Sequence, residues 1–380
     1  MRVWTGYIPA AEMGSAGLPA DLDSPSTLVL VFSGLPAAEA GNALPVLRRA
    51  FPRSVIVGCS TAGEIFGGSV RDGGLCVAVA RFERTRLTVA RIDLPDAAAS
   101  RAAGAELARQ LQEASLSAVL VYSDGLTVNG SQLMKGLNDG LAEPVVVTGG
   151  LAGDGDRFET TWVVVGDKPV SNAVVGVGLH GDAVVIGHGV GGGWDAFGPQ
   201  RVITRSVGNV MYELDGKLAL DLYERYLGDL FAGLPWTGLM FPLTINERPD
   251  SDSFIRAVLS VDRDAHTMTF AGDVPEGWTA QLTRPNPVRV VEGATQAAEA
   301  CAVRSPVAGE CLAVAASCCA RRLVLKERTE EELEVVTQGL PPGAQLVGFY
   351  SYGEITPLPS GRSDLHNQTM TLTLLAERPA

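Results

Sequence analysis

Two stretches far apart in the chain deliver a glutamate in the same setting. Val55 to Ile65 reads VIVGCSTAGEI and Gln345 to Ile355 reads QLVGFYSYGEI; they align without a gap, pairing Gly58 with Gly348, Gly63 with Gly353 and Glu64 with Glu354, and setting Thr61 against Ser351. A fainter third copy, VVVTGGLAGD from Val145, ends at Asp154, where Ala152-Gly153-Asp154 matches Ala62-Gly63-Glu64. In each, an apolar strand runs into a glycine-bearing loop with one carboxylate. Such a carboxylate can accept an ammonium group or cap backbone N–H groups. The hydroxyls of Ser60, Thr61, Ser351 and Tyr352 stand beside these acids.

Other constellations are weaker. Gly58-Cys-Ser-Thr-Ala62 after a strand partly matches a nucleophile elbow, which makes a hydrolase using Ser60 or Cys59 an alternative. An elbow requires a helix after its serine, yet Gly63 to Gly68 predicts loop, and the base must come from His180, His188, His266 or His366. Gly187 to Gly192 spells G-x-G-x-x-G, but the following GWDAFGP is a poor helix start for a dinucleotide site. His180 and His188 flank an expected turn and could face each other, while no His/Cys spacing suits zinc. His366 is a lone imidazole that could ligate haem iron. Arg321, in CCARR at the end of an apolar strand, could grip a carboxylate with two hydrogen bonds.

The elements that carry these residues recur. Thr27 to Ser33 is a continuous apolar run, as in a strand covered on both faces. Ala37 to Ala50 places Ala40, Ala43, Leu44 and Leu47 on one helical face, and Val55 begins the next strand. Strand 118–123, helix 129–141 and strand 145–147 repeat this βαβ unit with the same spacing of 22 residues, from Ser33 to Val55 and from Ser123 to Val145. A third unit runs from Cys311 to Gln345. Between them, 75–82 with 86–93, and 173–180 with 183–188, read as antiparallel meanders. The expected fold is α/β (mixed α+β), layered sheets with outer helices, in two pseudo-related domains, 1–215 and 216–380.

Composition narrows the function. A formal charge of −13 argues against a nucleic-acid partner, whose affinity rests on Lys and Arg. The N-terminal residues hold no apolar secretory core, and the apolar stretch 173–190 is broken by His180, Asp182 and His188, so a cytoplasmic protein without membrane insertion is expected. Six cysteines without C-x-x-C pairing fit a reduced compartment.

Together these residues resemble the FIST family, which pairs an N-terminal and a C-terminal FIST domain. The resemblance is carried by GCSTAGEI (58–65), GGLAGD (149–154), MYELDGK (211–217), ALDLY (219–223), FAGDVPEG (270–277), CAR (319–321), GFYSYGEI (348–355) and LHNQT (365–369). It implies an input protein of bacterial signal transduction that binds a small ligand, with amino acids suggested by gene neighbourhood. Some relatives bind haem and report nitric oxide to a histidine kinase; here His366 would be the axial ligand, and otherwise no cofactor is expected. The expected ligand site gathers Ser60, Thr61, Glu64, Asp154, Arg321, Ser351, Tyr352 and Glu354, the acids taking an ammonium and Arg321 a carboxylate. A separate partner, such as a histidine kinase, would receive the signal.

Overall fold

The apolar runs form strands because only a sheet covered on both faces can bury every residue of a segment such as Thr27–Ser33. In the computed structural model, which describes residues 1–234, 236–248, 251–303 and 309–378, those strands belong to three successive units of one design. The first unit starts with strand Arg2–Pro9, the second with Arg86–Asp93 and the third with Val184–Gly191. Each continues through a parallel pair joined by a helical crossover: Thr27–Ser33 with Val55–Ser60, Leu116–Ser123 with Val146–Leu151, and Cys311–Cys318 with Ala344–Ser351. A short exit hairpin follows, and a return strand closes the unit: Gly74–Arg81, Ala173–His180 or Met370–Glu377.

The exit strands interlock the units. Glu64–Phe66 leaves the first unit and pairs with Ala344–Ser351 of the third. Gly353–Pro357 leaves the third and pairs with Val146–Leu151 of the second, and Val163–Val165 leaves the second to pair with Val55–Ser60 of the first. The result is three six-stranded sheets of equivalent order, each borrowing a hairpin from another unit. Phe32, Tyr122 and Phe349 meet at the junction, with ring centroids 4.7 to 6.0 Å apart. Beside Tyr122 and Phe349 lies a gap of about 10 Å³, room for one water at most.

This arrangement explains why the expected meanders are absent. Gly74–Arg81 and Arg86–Asp93 end one unit and begin the next, so they lie in different sheets. Ala173–His180 and Val184–Gly191 do the same, and His180 and His188 do not face each other across a hairpin. The G-x-G-x-x-G stretch is mostly strand Val184–Gly191. Its Gly189 and Gly191 let helix Pro287–Val303 approach, since an added Cβ would lie 1.9 Å from a helix carbonyl at each.

The third unit contains an insertion between its first strand and that helix: a nine-stranded sheet over residues 194–285, with helix Ala219–Leu227 and its own core around Ile203, Met211, Tyr223 and Phe270. The expected boundary at 215/216 falls inside this sheet, at the turn between the paired strands Val210–Leu214 and Lys217–Leu218.

Candidate functional site

Backbone bonds at the strand ends fix which residues are equivalent. Ala62 N donates to Tyr350 O, Tyr352 N to Leu151 O, and Gly153 N to Ser60 O, one link per interlock. On this register Gly149, not Thr148, stands where Gly58 and Gly348 stand: the three lie opposite Val121, Val31 and Ala315. The counterpart of Glu64 and Glu354 is then Val163, since these three face Phe349, Gly150 and Cys59 across the borrowed pairs. Asp154 therefore does not occupy the third glutamate's place. It belongs to an expanded link: eleven residues separate Leu151 from Val163, against three between Ser60 and Glu64 and three between Tyr350 and Glu354.

Asp154 folds that link. Its Oδ1 accepts from Phe158 N at 3.0 Å and its Oδ2 from Glu159 N and Thr160 N at 2.9 Å, while Tyr352 Oη donates to Oδ1. Burial alone would raise the Asp154 pKa, but these four bonds outweigh it and hold the carboxyl below its usual range. The loop so formed walls a cavity of about 340 Å³. Opposite the loop, Gly34 to Ala37 lead into helix Ala37–Ala50, whose start has no side-chain cap. The Ser60 hydroxyl, which accepts from Trp162 N at 3.0 Å, lies between them. Arg157 and Glu159, both exposed, bring opposite charges to the rim.

Of the eight expected ligand residues, only Ser60 and Asp154 line this cavity. Glu64 stands one residue behind it: Gly34 N donates to its Oε1, and its Oε2 is buried with no partner. Burial pushes this carboxyl up to about 8, with nearby Asp72 adding to the push. Tyr352 reaches the loop through Asp154, the Gly155 carbonyl and a ring stack on Phe158. Thr61 is spent on the loop backbone, donating to Gly63 O at 2.5 Å and accepting from Gly63 N and Tyr350 N.

The remaining three are closed structural groups. Glu354 accepts from Ser351 Oγ at 2.6 Å and from Thr369 N and Oγ1 at 3.1 and 2.9 Å. Arg321 is fully buried, paired with Glu332 at 2.8 Å and donating to the carbonyls of Gly191, Gly192 and Val290. It has no free donor edge for a ligand carboxylate. Its neighbour Arg322 grips Asp72 with two bonds and donates to Ala62 O.

The residues of the alternative chemistries are separated too. No histidine lines the cavity that holds Ser60, and Cys59 is buried in the core with its thiol pKa raised by burial. Strand, not helix, follows Ser60 after a three-residue link. His366 is buried, its Nε2 lies 3.3 Å from the Thr356 carbonyl, and burial together with the Arg256 charge lowers its pKa to about 4. Among the described residues no group of three His, Cys, Asp or Glu side chains is set to hold a metal, and no helix is long and apolar enough to cross a membrane.

Sequence reasoning missed Arg157, Glu159, Thr160 and the Gly34–Ala37 turn. The polar run from Asp154 to Thr161, too long for a hairpin link, was the signal that could have found the first three.

The chain matches the FIST N domain over residues 27–217 and the FIST C domain over residues 219–357. No curated protein matches it. A solved structure described as cyanuric acid hydrolase from A. caulinodans covers 100% of this chain and 99% of its own, at 9% identity and a TM-score of 0.35.

Proposed function

The chain belongs to the FIST family of signal-transduction sensor domains, and on that premise we propose that it takes a small zwitterionic ligand, an amino acid, in the cavity between the helix 37–50 start and the Asp154 loop. The observation that carries this is the set of polar groups placed on the cavity's partly apolar wall. A carboxylate suits the uncapped helix start and Arg157, the Ser60 hydroxyl offers a further bond, and an ammonium suits Glu159. Its volume of about 340 Å³ lies at the small end of ligand pockets. Asp154 itself is saturated by its loop, so it shapes the site rather than binding the ligand.

The signal would leave through the same loop. Tyr352, on the link between the third unit's second strand and its exit strand, is bonded to Asp154, so ordering the loop bears on the FIST C half. A separate cytoplasmic signalling protein, such as a histidine kinase, would read that change.

Calorimetry and thermal-shift screening with the common amino acids test the reading. One or a few should stabilise the protein in proportion to RT ln(1 + [L]/Kd), and Arg157→Ala should weaken that response about tenfold or more. No response to any amino acid, or a response unchanged in Arg157→Ala, would sink it. A hydrolase using Ser60 is the second reading, because Ser60 lines the cavity. Turnover of esters or amides that is lost in Ser60→Ala would favour it over sensing.

A further inference from the structure

The turn that precedes each return strand is the same in all three units, but one copy is buried. Its second residue is left-handed every time: Gly73 at φ 83°, Asn172 at φ 54° and Gln368 at φ 65°. Asp72-Gly73 and Ser171-Asn172 are exposed, as polar turns should be. Asn367-Gln368 are 1% and 0% exposed, and the insertion of the third unit packs against Gln368. Gln368 Nε2 donates to the inserted domain's Leu239 carbonyl at 3.1 Å, and Leu239 packs in one cluster with Trp194 and Cys318. Cys318 N in turn donates to Thr369 O, tying that cluster to the turn.

Four side-chain polar atoms of these residues are buried without a partner: Asn367 Oδ1, Asn367 Nδ2 and Gln368 Oε1 on the turn, and Trp194 Nε1 in the cluster that holds Leu239. Buried polar atoms are paired as a rule, and such exceptions require a reason. We propose that the seam between the 367–368 turn and the inserted sheet is a second ligand site. Its ligand class is a small uncharged molecule presenting a donor beside an acceptor, the edge of a lactam, urea or nucleobase.

The chemistry follows from what is free and what is spent. Asn367 offers one acceptor and one donor in a single plane, which an amide-like edge complements with two parallel bonds. Gln368 adds an acceptor and Trp194 a donor. No charge is free to meet an ion: Glu354 is consumed by Ser351 and Thr369, and Arg256 by the carbonyls of Ile255, Leu365 and Asp273. An ionic ligand would lose its hydration without compensation, so a neutral one is selected. Domain seams are also where small-molecule sites concentrate.

Titration of the full chain with urea, 2-pyrrolidinone, uracil, cytosine and adenine, followed by calorimetry and thermal shift, tests the proposal. At least one probe should bind. Trp194→Phe, which removes a single N–H and keeps the ring bulk, should weaken it about three- to tenfold. Asn367→Leu should abolish binding while raising the melting temperature of the free protein, because two orphan atoms vanish. Response of these variants to amino acids at the Asp154 cavity should stay unchanged, which separates the two sites. If no probe binds, or if a crystal structure shows only ordered waters bridging the four atoms, the proposal is overturned.

Discussion

Tyr352 donates its phenolic hydrogen to Asp154 across 198 positions of sequence, joining the third unit's exit link to the second unit's expanded loop. Phe158 of that loop lies flat on the Tyr352 ring, with centroids 4.3 Å apart and planes 1° from parallel. The loop that walls the cavity is therefore anchored to the FIST C half by the Tyr352 hydroxyl, on Asp154 and the Gly155 carbonyl, and by one ring stack. Tyr352→Phe should cost about 1–2 kcal/mol in urea unfolding, the stack surviving. Asp154→Ala should cost more, about 3 kcal/mol, because three backbone N–H groups lose their acceptor as well. The double variant should fall short of the sum by about 1 kcal/mol, as expected for residues in contact; strict additivity would show that the bond carries no coupling.

Glu64 makes stability fall as pH rises. Its carboxyl titrates at about 8 in the folded chain against 4.5 for an unperturbed glutamate. The unfolded chain releases this proton first, so the stabilisation is complete below pH 4.5 and is lost as pH climbs through 8. At pH 7 the loss from this group amounts to about 3 kcal/mol. Glu64→Gln keeps the shape of the protonated acid and should flatten the stability profile between pH 5 and 8, read by chemical denaturation at each pH. An unchanged slope would show that Glu64 is ionised in the fold.

His366 works at the other end of the scale. Burial and Arg256 lower its pKa to about 4 from 6.5, so the unfolded chain takes up a proton that the folded one refuses. Stability should therefore be full above pH 6.5 and decline as pH falls to 4, by about 3 kcal/mol from this group. His366→Gln should remove most of that decline in acid denaturation followed by circular dichroism. A variant that loses stability equally at pH 5 and 7.5 would assign His366 a packing role without linkage.

The βαβ units were legible because their signals are local: apolar runs mark strands covered on both faces, and a common spacing of 22 residues marked the first two crossovers as copies. Strand partners were not legible. Gly74–Arg81 and Arg86–Asp93 adjoin like the arms of a hairpin, yet each finds its edge in a different sheet, a choice made by the interlock rather than by either segment. Ala152-Gly153-Asp154 matches Ala62-Gly63-Glu64 in sequence, but what the three strands share in space is the glycine at 58, 149 and 348. A Cβ at Gly58 or Gly149 would lie 1.8 or 1.9 Å from the carbonyl of Val31 or Val121, so glycine fixes the register and puts Val163 in the acid's place. Arg321 reads as a ligand arginine at a strand end, and nothing nearby in sequence announces that Glu332 and three carbonyls consume it.

That buried pair sets the last expectation. Arg321 and Glu332 are both fully buried 2.8 Å apart, and Glu332 Oε1 also accepts from Tyr350 Oη at 2.7 Å and Ser317 Oγ at 3.1 Å. Removing one partner strands the other charge, so Glu332→Ala should cost about 3–5 kcal/mol or prevent folding. Arg321→Lys should fare little better, because a point charge cannot reach Glu332 and three carbonyls in different directions as the guanidinium does. Replacing both, with Arg321→Met and Glu332→Leu, should recover much of the loss, since an apolar pair needs no compensation for lost hydration. Chemical denaturation of the three variants decides the matter: a double variant no more stable than Glu332→Ala would mean that the carbonyl and hydroxyl partners, not the ion pair, hold this part of the core.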